Sequence, residues 1–310
     1  MIPARFIDVG LLEPALFHAT YIGIADALAR DDPPVVMWGR SMPHISLGQS
    51  QDRCAELAAE LEVPVVTRPL GGGAVWVDES QYCFVLIAPL EHAPPRPADW
   101  FGWGLEPVIA TYRRFGLPVE RREQDLWLAG RKIAGSGAAT IGRCAVLASS
   151  FLLSFPVERF ARCIASPLRP GSGQAANGFH EWLLAALRQA MTDWESHQTS
   201  PEAGELCNAF REAVAEKPGW RLADSALSAA ELAARGEALW SVTPSWVGAL
   251  RYELVAADDV ALNANQASVH VSYVVAPNAL VSVGWRHDFQ DFAKSSALAV
   301  VRGEVLSILG

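Results

Sequence analysis

The stretch RPLGGGAVWVDESQYCF, residues 68–84, holds three consecutive glycines, Gly71, Gly72 and Gly73, between two β-rich runs. Glycines permit positive φ angles and allow a ligand to approach the backbone closely. A plain hairpin turn needs only one or two of them. Successive N–H groups in such a loop can form a nest for phosphate or carboxylate, and Arg68 adds a forked cationic donor. Taken alone, the stretch is compatible with a hairpin turn or with an anion-binding loop.

A second glycine-rich stretch, QDLWLAGRKIAGSG at residues 124–137, places Lys132 in an apolar strand flanked by glycine and serine. Lys132 is one of three lysines in a chain with twenty-two arginines. Because a buried lysine is costly without an anionic partner, Lys132 is predicted to contact an anion rather than to protect a strand edge. Asp125, just upstream, is a candidate to pair with Lys132 or to hold Mg²⁺. The stretch lacks the residue order of a P-loop.

Two tryptophans and one cysteine are further candidates. Trp38 and Trp76 could line an apolar acyl tunnel, although a tryptophan in a chain with eleven of them is more often simply core. Cys144, in GRCAVL, is either a thiol nucleophile or a buried structural cysteine, and the second interpretation is favoured. No G-x-S-x-G nucleophile elbow is present.

Composition limits the class of protein. The 310 residues are 51% hydrophobic, enough for one large domain with a small appendage. The net charge of -9 argues against nucleic-acid binding, which needs a basic surface. Five scattered cysteines without metal-ligand spacing fit a reducing compartment. With neither a signal pattern nor an apolar run of about 18 residues, we expect no membrane span and a cytoplasmic location.

Periodicity predicts a mixed α+β fold in which strands follow one another instead of alternating regularly with helices. The boundary of a small C-terminal domain is expected at SVTPSW, residues 241–246, where Pro244 interrupts a helix. Beyond it we predict alternating antiparallel strands and a closing helix in KSSALAVVRGEVLSIL, residues 294–309. Helices are predicted at 13–30, 52–61, 101–115, 157–164, 178–194, 205–215 and 228–240.

Taken in order, these motifs resemble the lipoate-protein ligase branch of the biotin/lipoate ligase superfamily. The blocks that carry the resemblance are VVMWGR with LGQSQ (47–51), RPLGGGAVWVDESQYCF, QDLWLAGRKIAGSG and VHVSYVVAPNALVSVGWRHDF (269–289). They extend over nearly the whole chain. The resemblance implies a mixed β-sheet catalytic domain with flanking helices at 1–240 and a small α+β accessory domain at 241–310.

The function implied by the resemblance is ATP-dependent ligation. Lipoic acid and ATP, with Mg²⁺, would give lipoyl-AMP, which a lysine of a lipoyl-domain protein would attack. The acceptor would be a 2-oxoacid dehydrogenase E2 subunit or the glycine cleavage H protein. By motif, Lys132 would contact the α-phosphate and the acyl carbonyl oxygen, Arg68 and Gly71–Gly73 would line the lipoyl-adenylate pocket, and Gln81 and Asp125 would lie near the phosphate and the nucleotide. The remaining candidate binding residues are Trp38, Ala74, Trp76, Asp78 and Ser136.

Two departures from the family pattern leave other functions open. Thr67 stands where the family often has a second arginine, and a His-Gly-Thr segment is missing, with Ala148 and Ser149 at the positions of its histidine and glycine. The alternatives are an ATP-independent octanoyl or lipoyl transferase with a thioester on Cys144, and a non-catalytic paralogue that binds lipoate or lipoyl domains. A biotin ligase is disfavoured, because its loop usually reads Gly-Arg-Gly-Arg.

Overall fold

The computed structural model describes residues 1–166, 173–242, 249–255, 266–276, 279–288 and 296–302. The chain divides into two compact units, Met1–Thr243 and Pro244–Gly310. Within the described residues, no helix is long and apolar enough to cross a membrane.

The first unit contains twelve named strands and seven α-helices within its described residues. The strands are β1 (Ile2–Leu12), β2 (Val35–Ser41), β3 (His44–Gly48), β4 (Val65–Arg68), β5 (Val75–Val77), β6 (Gln81–Pro89), β7 (Glu120–Arg122), β8 (Asp125–Leu128), β9 (Arg131–Ala134), β10 (Gly137–Ile141), β11 (Cys144–Leu152) and β12 (Trp220–Asp224). The helices are α1 (Pro14–Ala27), α2 (Arg53–Glu56), α3 (Trp100–Arg114), α4 (Val157–Cys163), α5 (Gly173–Ala190), α6 (Ala203–Glu216) and α7 (Ala229–Val242), and two 3-10 turns cover Leu90–His92 and Pro97–Asp99.

A six-stranded mixed sheet organises this unit, in the order β10-β11-β6-β2-β1-β12. The pairs from β10 to β2 are antiparallel, whereas β2-β1 and β1-β12 are parallel. Two smaller three-stranded sheets have the orders β4-β3-β5 and β7-β8-β9. The predicted mixed α+β fold with flanking helices is therefore confirmed.

Hydrophobic side chains cover both faces of the large sheet. On one face Leu86 and Leu147 pack with residues of α3 and α6 in one buried cluster. On the other face Val85 and Val146 pack with residues of α1 and α7 in a second cluster. Helix α1 is buried nearly all round, as expected for a helix held between a sheet and another helix.

Most predicted helices are confirmed, but the one at 52–61 is wrong beyond residue 56. Helix α2 ends because Leu57 is 3% exposed and forms a β-bridge with Ile164. The backbone N–H of Ala58 then donates to the Cys163 carbonyl at 2.9 Å. These tertiary contacts override a local helical pattern.

The described residues of the second unit form one antiparallel sheet. Its strands are β13 (Ala249–Val255), β14 (Gln266–Ala276), β15 (Ala279–Asp288) and β16 (Ser296–Arg302), in that order. The predicted closing helix at 294–309 is wrong where it covers β16, which pairs with β15. Periodicity alone does not separate a helix from a strand in a short apolar run, and here strand pairing decides. The rest of that stretch lies outside the described residues.

Candidate active site

A cavity of about 230 Å³ lies on the α1 face of the large sheet in the first unit. Neighbouring strands supply part of its wall, since Val85 on β6 pairs with Ala148 on β11, and Cys83 pairs with Ser150. Helix α1 supplies the side chains of Phe17, His18 and Tyr21. Ser46 on β3 and Ser149 on β11 also line the cavity. The remaining lining residues come from the two glycine-rich stretches, 68–84 and 124–137: Arg68, Leu70, Gly72, Gly73, Ala74, Val75, Val77, Gln81, Phe84, Gln124, Asp125, Lys132, Gly135, Ser136 and Gly137.

Arg68 holds the glycine loop from inside. It is 8% exposed, and its Nη1 donates to the Ser46 carbonyl at 2.5 Å. Its Nη2 donates to the carbonyl oxygens of Gly71 and Gly73, each at 2.9 Å. In a trans peptide the C=O and the following N–H point in opposite directions. The N–H groups of Gly72 and Ala74 are therefore turned away from the arginine, and both residues line the cavity.

Lys132 and Asp125 form an ion pair at the cavity, with 2.9 Å between Nζ and Oδ1. Their strands are joined by a tight turn in which Ala129 and Gly130 both have positive φ, 49° and 78°, as a two-residue hairpin loop requires. The Lys132 side chain is 32% exposed and that of Asp125 is 25% exposed, so the pair is half-buried. An ammonium has three N–H donors, so Lys132 can hold Asp125 and still contact an anionic ligand.

Gln81 lines the cavity in a fixed orientation. Its Oε1 accepts from the Ser150 hydroxyl at 2.8 Å, and its Nε2 donates to the Trp76 carbonyl at 3.0 Å. Trp76 and Asp78, which were also predicted as binding residues, are not among the residues that line this cavity. Instead the Trp76 indole N–H donates to Asp78 Oδ2 at 2.6 Å, and both stabilise the turn that leads into β6.

Trp38 was predicted as a possible tunnel residue, but it lies on the opposite face of the sheet. It stacks on Tyr82 and Phe210, with ring centroids 5.4 Å and 5.3 Å away. Successive side chains of a strand alternate between faces, and its neighbour Met37 packs in the α1-side cluster. The loop residues Gly72, Gly73, Ala74 and the more distant Ser136 do line the cavity, whereas Gly71 only supplies its carbonyl to Arg68.

Cys144 does not line the cavity. It lies four residues along β11 from Ala148, about 13 Å in an extended strand, and its thiol donates to the Ala25 carbonyl at 3.5 Å. Burial raises its pKa to about 12. Cys83 does line the cavity, and burial raises its pKa to about 12 as well. Both thiols are therefore protonated at neutral pH and are poor nucleophiles.

The sequence prediction missed the contribution of α1. His18 and Tyr21 line the cavity and are 5% and 1% exposed. The available signal was a histidine within a helix whose surroundings are otherwise apolar, because a buried polar side chain needs a partner. Ser149, which stands at the glycine of the missing His-Gly-Thr segment, donates to the Gly135 carbonyl at 2.8 Å.

Solved structures of other proteins have a similar fold. A structure of the bipartite lipoate protein ligase and its E2 lipoyl domain from Thermoplasma acidophilum matches with a TM-score of 0.68 at 17% identity, over 77% of this chain and 92% of that one. Lipoate-protein ligase A bound with ATP matches with a TM-score of 0.66 at 14% identity, over 77% and 94%. LipL1 of P. falciparum in complex with lipoate matches with a TM-score of 0.56 at 11% identity, over 88% and 82%. No curated protein matches the sequence.

The fold and the site therefore define the class as the mixed-sheet catalytic domain of lipoate ligases and related transferases. Residues 22–198 match the family model described as the lipoyl protein ligase A/B catalytic domain, and this segment is more than half of the chain. The chain belongs to the lipoyl protein ligase A/B family, as the sequence motifs predicted.

Proposed function

We propose that this protein is an ATP-dependent lipoate-protein ligase, which converts lipoate to lipoyl-AMP and transfers the lipoyl group to a lysine of a lipoyl domain. The observation that carries the proposal is the Lys132–Asp125 pair in the same cavity as the glycine loop held by Arg68, with helix α1 as one wall. This arrangement combines a cation, backbone N–H groups that point away from Arg68, and space for an acyl chain. The solved structures of relatives with ATP and with lipoate support the choice of substrates.

The proposed reaction has two steps, adenylation of lipoate and transfer of the lipoyl group. A carboxylate oxygen of lipoate attacks the α-phosphorus of ATP, and pyrophosphate leaves with the electrons of the broken P–O bond. The neutral amine of the acceptor lysine then attacks the acyl carbon, AMP leaves, and the proton from nitrogen passes to solvent. Lys132 stabilises the negative charge that develops on the phosphate and acyl oxygens in both transition states, as a preorganised cation does. The nucleophile belongs to the partner, so the chain needs none of its own.

Mg²⁺ is proposed to arrive with ATP. Among the described residues, no three His, Cys, Asp or Glu side chains are grouped to hold a metal. Nucleotide-bound Mg²⁺ usually needs only one or two protein carboxylates beside phosphates and waters. Asp125 is the candidate carboxylate, and the ion would neutralise phosphate charge there.

The proposed acceptor is a lipoyl domain of a 2-oxoacid dehydrogenase E2 subunit or of the glycine cleavage H protein. The Thermoplasma acidophilum structure, which contains a ligase and an E2 lipoyl domain, supports the first of these.

Pyrophosphate release by the purified protein with ATP, Mg²⁺ and lipoate tests the adenylation step, with octanoate and biotin as parallel acids. We expect release that depends on lipoate or octanoate but not on biotin. Mass spectrometry of an added lipoyl domain then tests transfer. If no acid causes pyrophosphate release and the protein transfers the acyl group from an octanoylated carrier protein, the protein is an ATP-independent transferase and the ligase proposal is wrong.

A further inference from the structure

Tyr21, His18 and His44 form a buried chain of polar side chains, of which the first two line the cavity. Nδ1 of His18 is 3.1 Å from the Tyr21 hydroxyl, and Nε2 of His18 is 3.0 Å from Nε2 of His44. Nδ1 of His44 is 2.8 Å from the carbonyl oxygen of Met42. The steps described for adenylation and transfer use none of these groups.

The contacts determine which atom donates in each hydrogen bond. A carbonyl oxygen only accepts, so Nδ1 of His44 carries the proton in the bond to Met42. In a neutral imidazole Nε2 of His44 is then the acceptor, and Nε2–H of His18 donates to it. His18 therefore has an unprotonated Nδ1, and the Tyr21 hydroxyl donates to that nitrogen.

Both imidazoles are held neutral by their surroundings. Burial and the nearby Arg68 guanidinium lower the pKa of His18 well below its ordinary value, and His44 acts in the same direction. Burial lowers the pKa of His44 to about 4, although the Met42 carbonyl and Asp78 act against this. The donor directions derived for neutral rings therefore apply at neutral pH.

Tyr21, which lines the cavity, consequently has an unused hydrogen-bond acceptor rather than an unused donor. Its single proton is committed to His18, and its oxygen accepts no hydrogen bond from the part of the chain that the structure describes. The cavity lining includes the apolar side chains of Phe17, Leu70 and Val77. Arg68 also lies near Tyr21, but its guanidinium donates to the carbonyl oxygens of Ser46, Gly71 and Gly73. An aliphatic ligand would leave the lone pairs of the Tyr21 oxygen unused, whereas a ligand with an O–H or S–H group would satisfy them.

We infer that the cavity selects acyl chains that carry a neutral hydrogen-bond donor, a hydroxyl or a thiol, in their apolar part, with Tyr21 as the residue that determines this specificity. The inference rests on the proposed function and specifies its substrate class. It predicts that the dithiol form of lipoate and hydroxylated octanoates bind more tightly, relative to plain octanoate, than they would in a purely apolar cavity. A purely apolar cavity would favour octanoate, because a ligand that buries a hydroxyl without a hydrogen-bond partner binds about tenfold to hundredfold more weakly.

Calorimetric binding of octanoate, 6-hydroxyoctanoate, 8-hydroxyoctanoate, lipoate and dihydrolipoate under reducing conditions tests the inference. We expect at least one hydroxyoctanoate to bind as tightly as octanoate or more tightly. Tyr21→Phe should shift the hydroxyoctanoate-to-octanoate affinity ratio against the hydroxy acid by about tenfold or more. Tyr112→Phe is the matched control, because Tyr112 is also fully buried but packs on the other face of the sheet. The ratio should not change in that variant.

Two results separate this inference from the proposed function. If octanoate and lipoate bind but Tyr21→Phe leaves the hydroxyoctanoate-to-octanoate affinity ratio unchanged, the inference alone is overturned. Failure of every acid to bind, with or without ATP, contradicts the proposed function and the inference together.

A measurement on the unmodified protein keeps the inference testable even when Tyr21→Phe does not fold. Long-range ¹H–¹⁵N correlation spectra of the ¹⁵N-histidine-labelled protein report which ring nitrogen carries the proton. We expect His18 protonated on Nε2 and His44 on Nδ1. The opposite tautomers would make Tyr21 an acceptor within the chain and a donor to the cavity, and the inference would be wrong.

Discussion

At the scale of single residues, Lys132 is the group on which the proposed chemistry depends most directly. Its position beside Gly135 is tight, because a Cβ on Gly135 would lie 3.3 Å from Nζ. Gly135 therefore leaves room for the side chain of Lys132. The ion pair with Asp125 orients the ammonium before any ligand arrives.

Lys132→Ala should lower the rate of acyl-adenylate formation by about a hundredfold or more, since a contact to developing oxyanion charge contributes about 10²–10³ in rate. Lipoate-dependent pyrophosphate release measures this. Lys217→Ala is the control, because the Lys217 side chain is 68% exposed and pairs with Glu106 on the surface. Near-normal activity of Lys132→Ala would remove this lysine from the mechanism.

Because His18 and His44 are buried and their pKa values are lowered, the free energy of unfolding should depend on pH. The pKa of His44 is about 4 in the folded protein and 6.5 ordinarily, so below pH 6.5 the unfolded chain binds the extra proton. The free energy of unfolding should therefore fall on acidification from pH 6.5 towards 4, by about 1.4 kcal/mol per pH unit for each such histidine.

Urea denaturation at several pH values measures this slope, and the variant His44→Gln should have a shallower one. If the free energy of unfolding falls with the same slope in the parent and in His44→Gln, the buried histidine does not cause the loss of stability.

Cys144→Ala should leave the rate of acyl transfer to a lipoyl domain unchanged, because the thiol lies outside the cavity and its pKa is raised. Transfer monitored by mass spectrometry distinguishes the two mechanisms. Loss of transfer in a folded variant would restore the thioester interpretation.

At the scale of elements, strand β3 and the glycine loop fit together through Gly48. A Cβ at this position would lie 2.0 Å from the carbonyl oxygen of Gly72, which is a backbone atom and has little freedom to move. Gly72 has a φ of 96°, which disfavours any other residue there. The shape of the glycine loop thus depends on a glycine outside it.

Gly48→Ala should displace the loop and lower both stability and activity, with a loss of about 2 kcal/mol or more in the free energy of unfolding from the steric conflict. Thermal denaturation and pyrophosphate release measure the two effects. Gly204→Ala in helix α6 is the matched control, since a Cβ there meets nothing within 4 Å. Equal stability of Gly48→Ala and the parent would contradict the close approach.

At the scale of the whole molecule, the first unit is closed by contacts between its two ends. Strand β1 pairs with β12, and Arg5 on β1 forms an ion pair with Glu231 on α7 at 2.6 Å. Glu231 is 2% exposed and also accepts from the backbone N–H of Ser228 at 2.6 Å. Helix α7 in turn packs on α1, which forms a wall of the cavity, so this ion pair supports the site indirectly.

Glu231→Gln should reduce the free energy of unfolding by about 2 kcal/mol at neutral pH, because the variant weakens a buried charge-assisted contact. Burial raises the pKa of Glu231, but hydrogen bonds from Arg5 and Ser228 outweigh it and lower the pKa below 4.5. The contribution is therefore present above pH 4.5 and is lost as the pH falls through the lowered folded-state pKa.

The difference between parent and Glu231→Gln should shrink on acidification, which urea denaturation at pH 7 and pH 3 measures. Glu212→Gln is the control, because Glu212 pairs with Arg114 while remaining 69% exposed, and it should cost less than about 1 kcal/mol. A difference that does not depend on pH would exclude an ionised Glu231.

The sequence by itself determined the family, the α+β class, most helices and several residues of the cavity, among them the glycine loop with Arg68 and the Lys132–Asp125 pair. These features are encoded locally, because a glycine run or a lysine between glycines signals its backbone geometry within a few residues. The strand order, by contrast, joins β1 to β12 across more than two hundred residues, and no local pattern records it.

Only the tertiary structure decided which faces and partners the remaining residues have. Trp38 lies on the face away from the cavity, Cys144 is buried under α1, and α1 brings Tyr21 beside the glycine loop. The physical reason is that side-chain direction alternates along a strand, so the face that becomes a cavity depends on how distant elements pack.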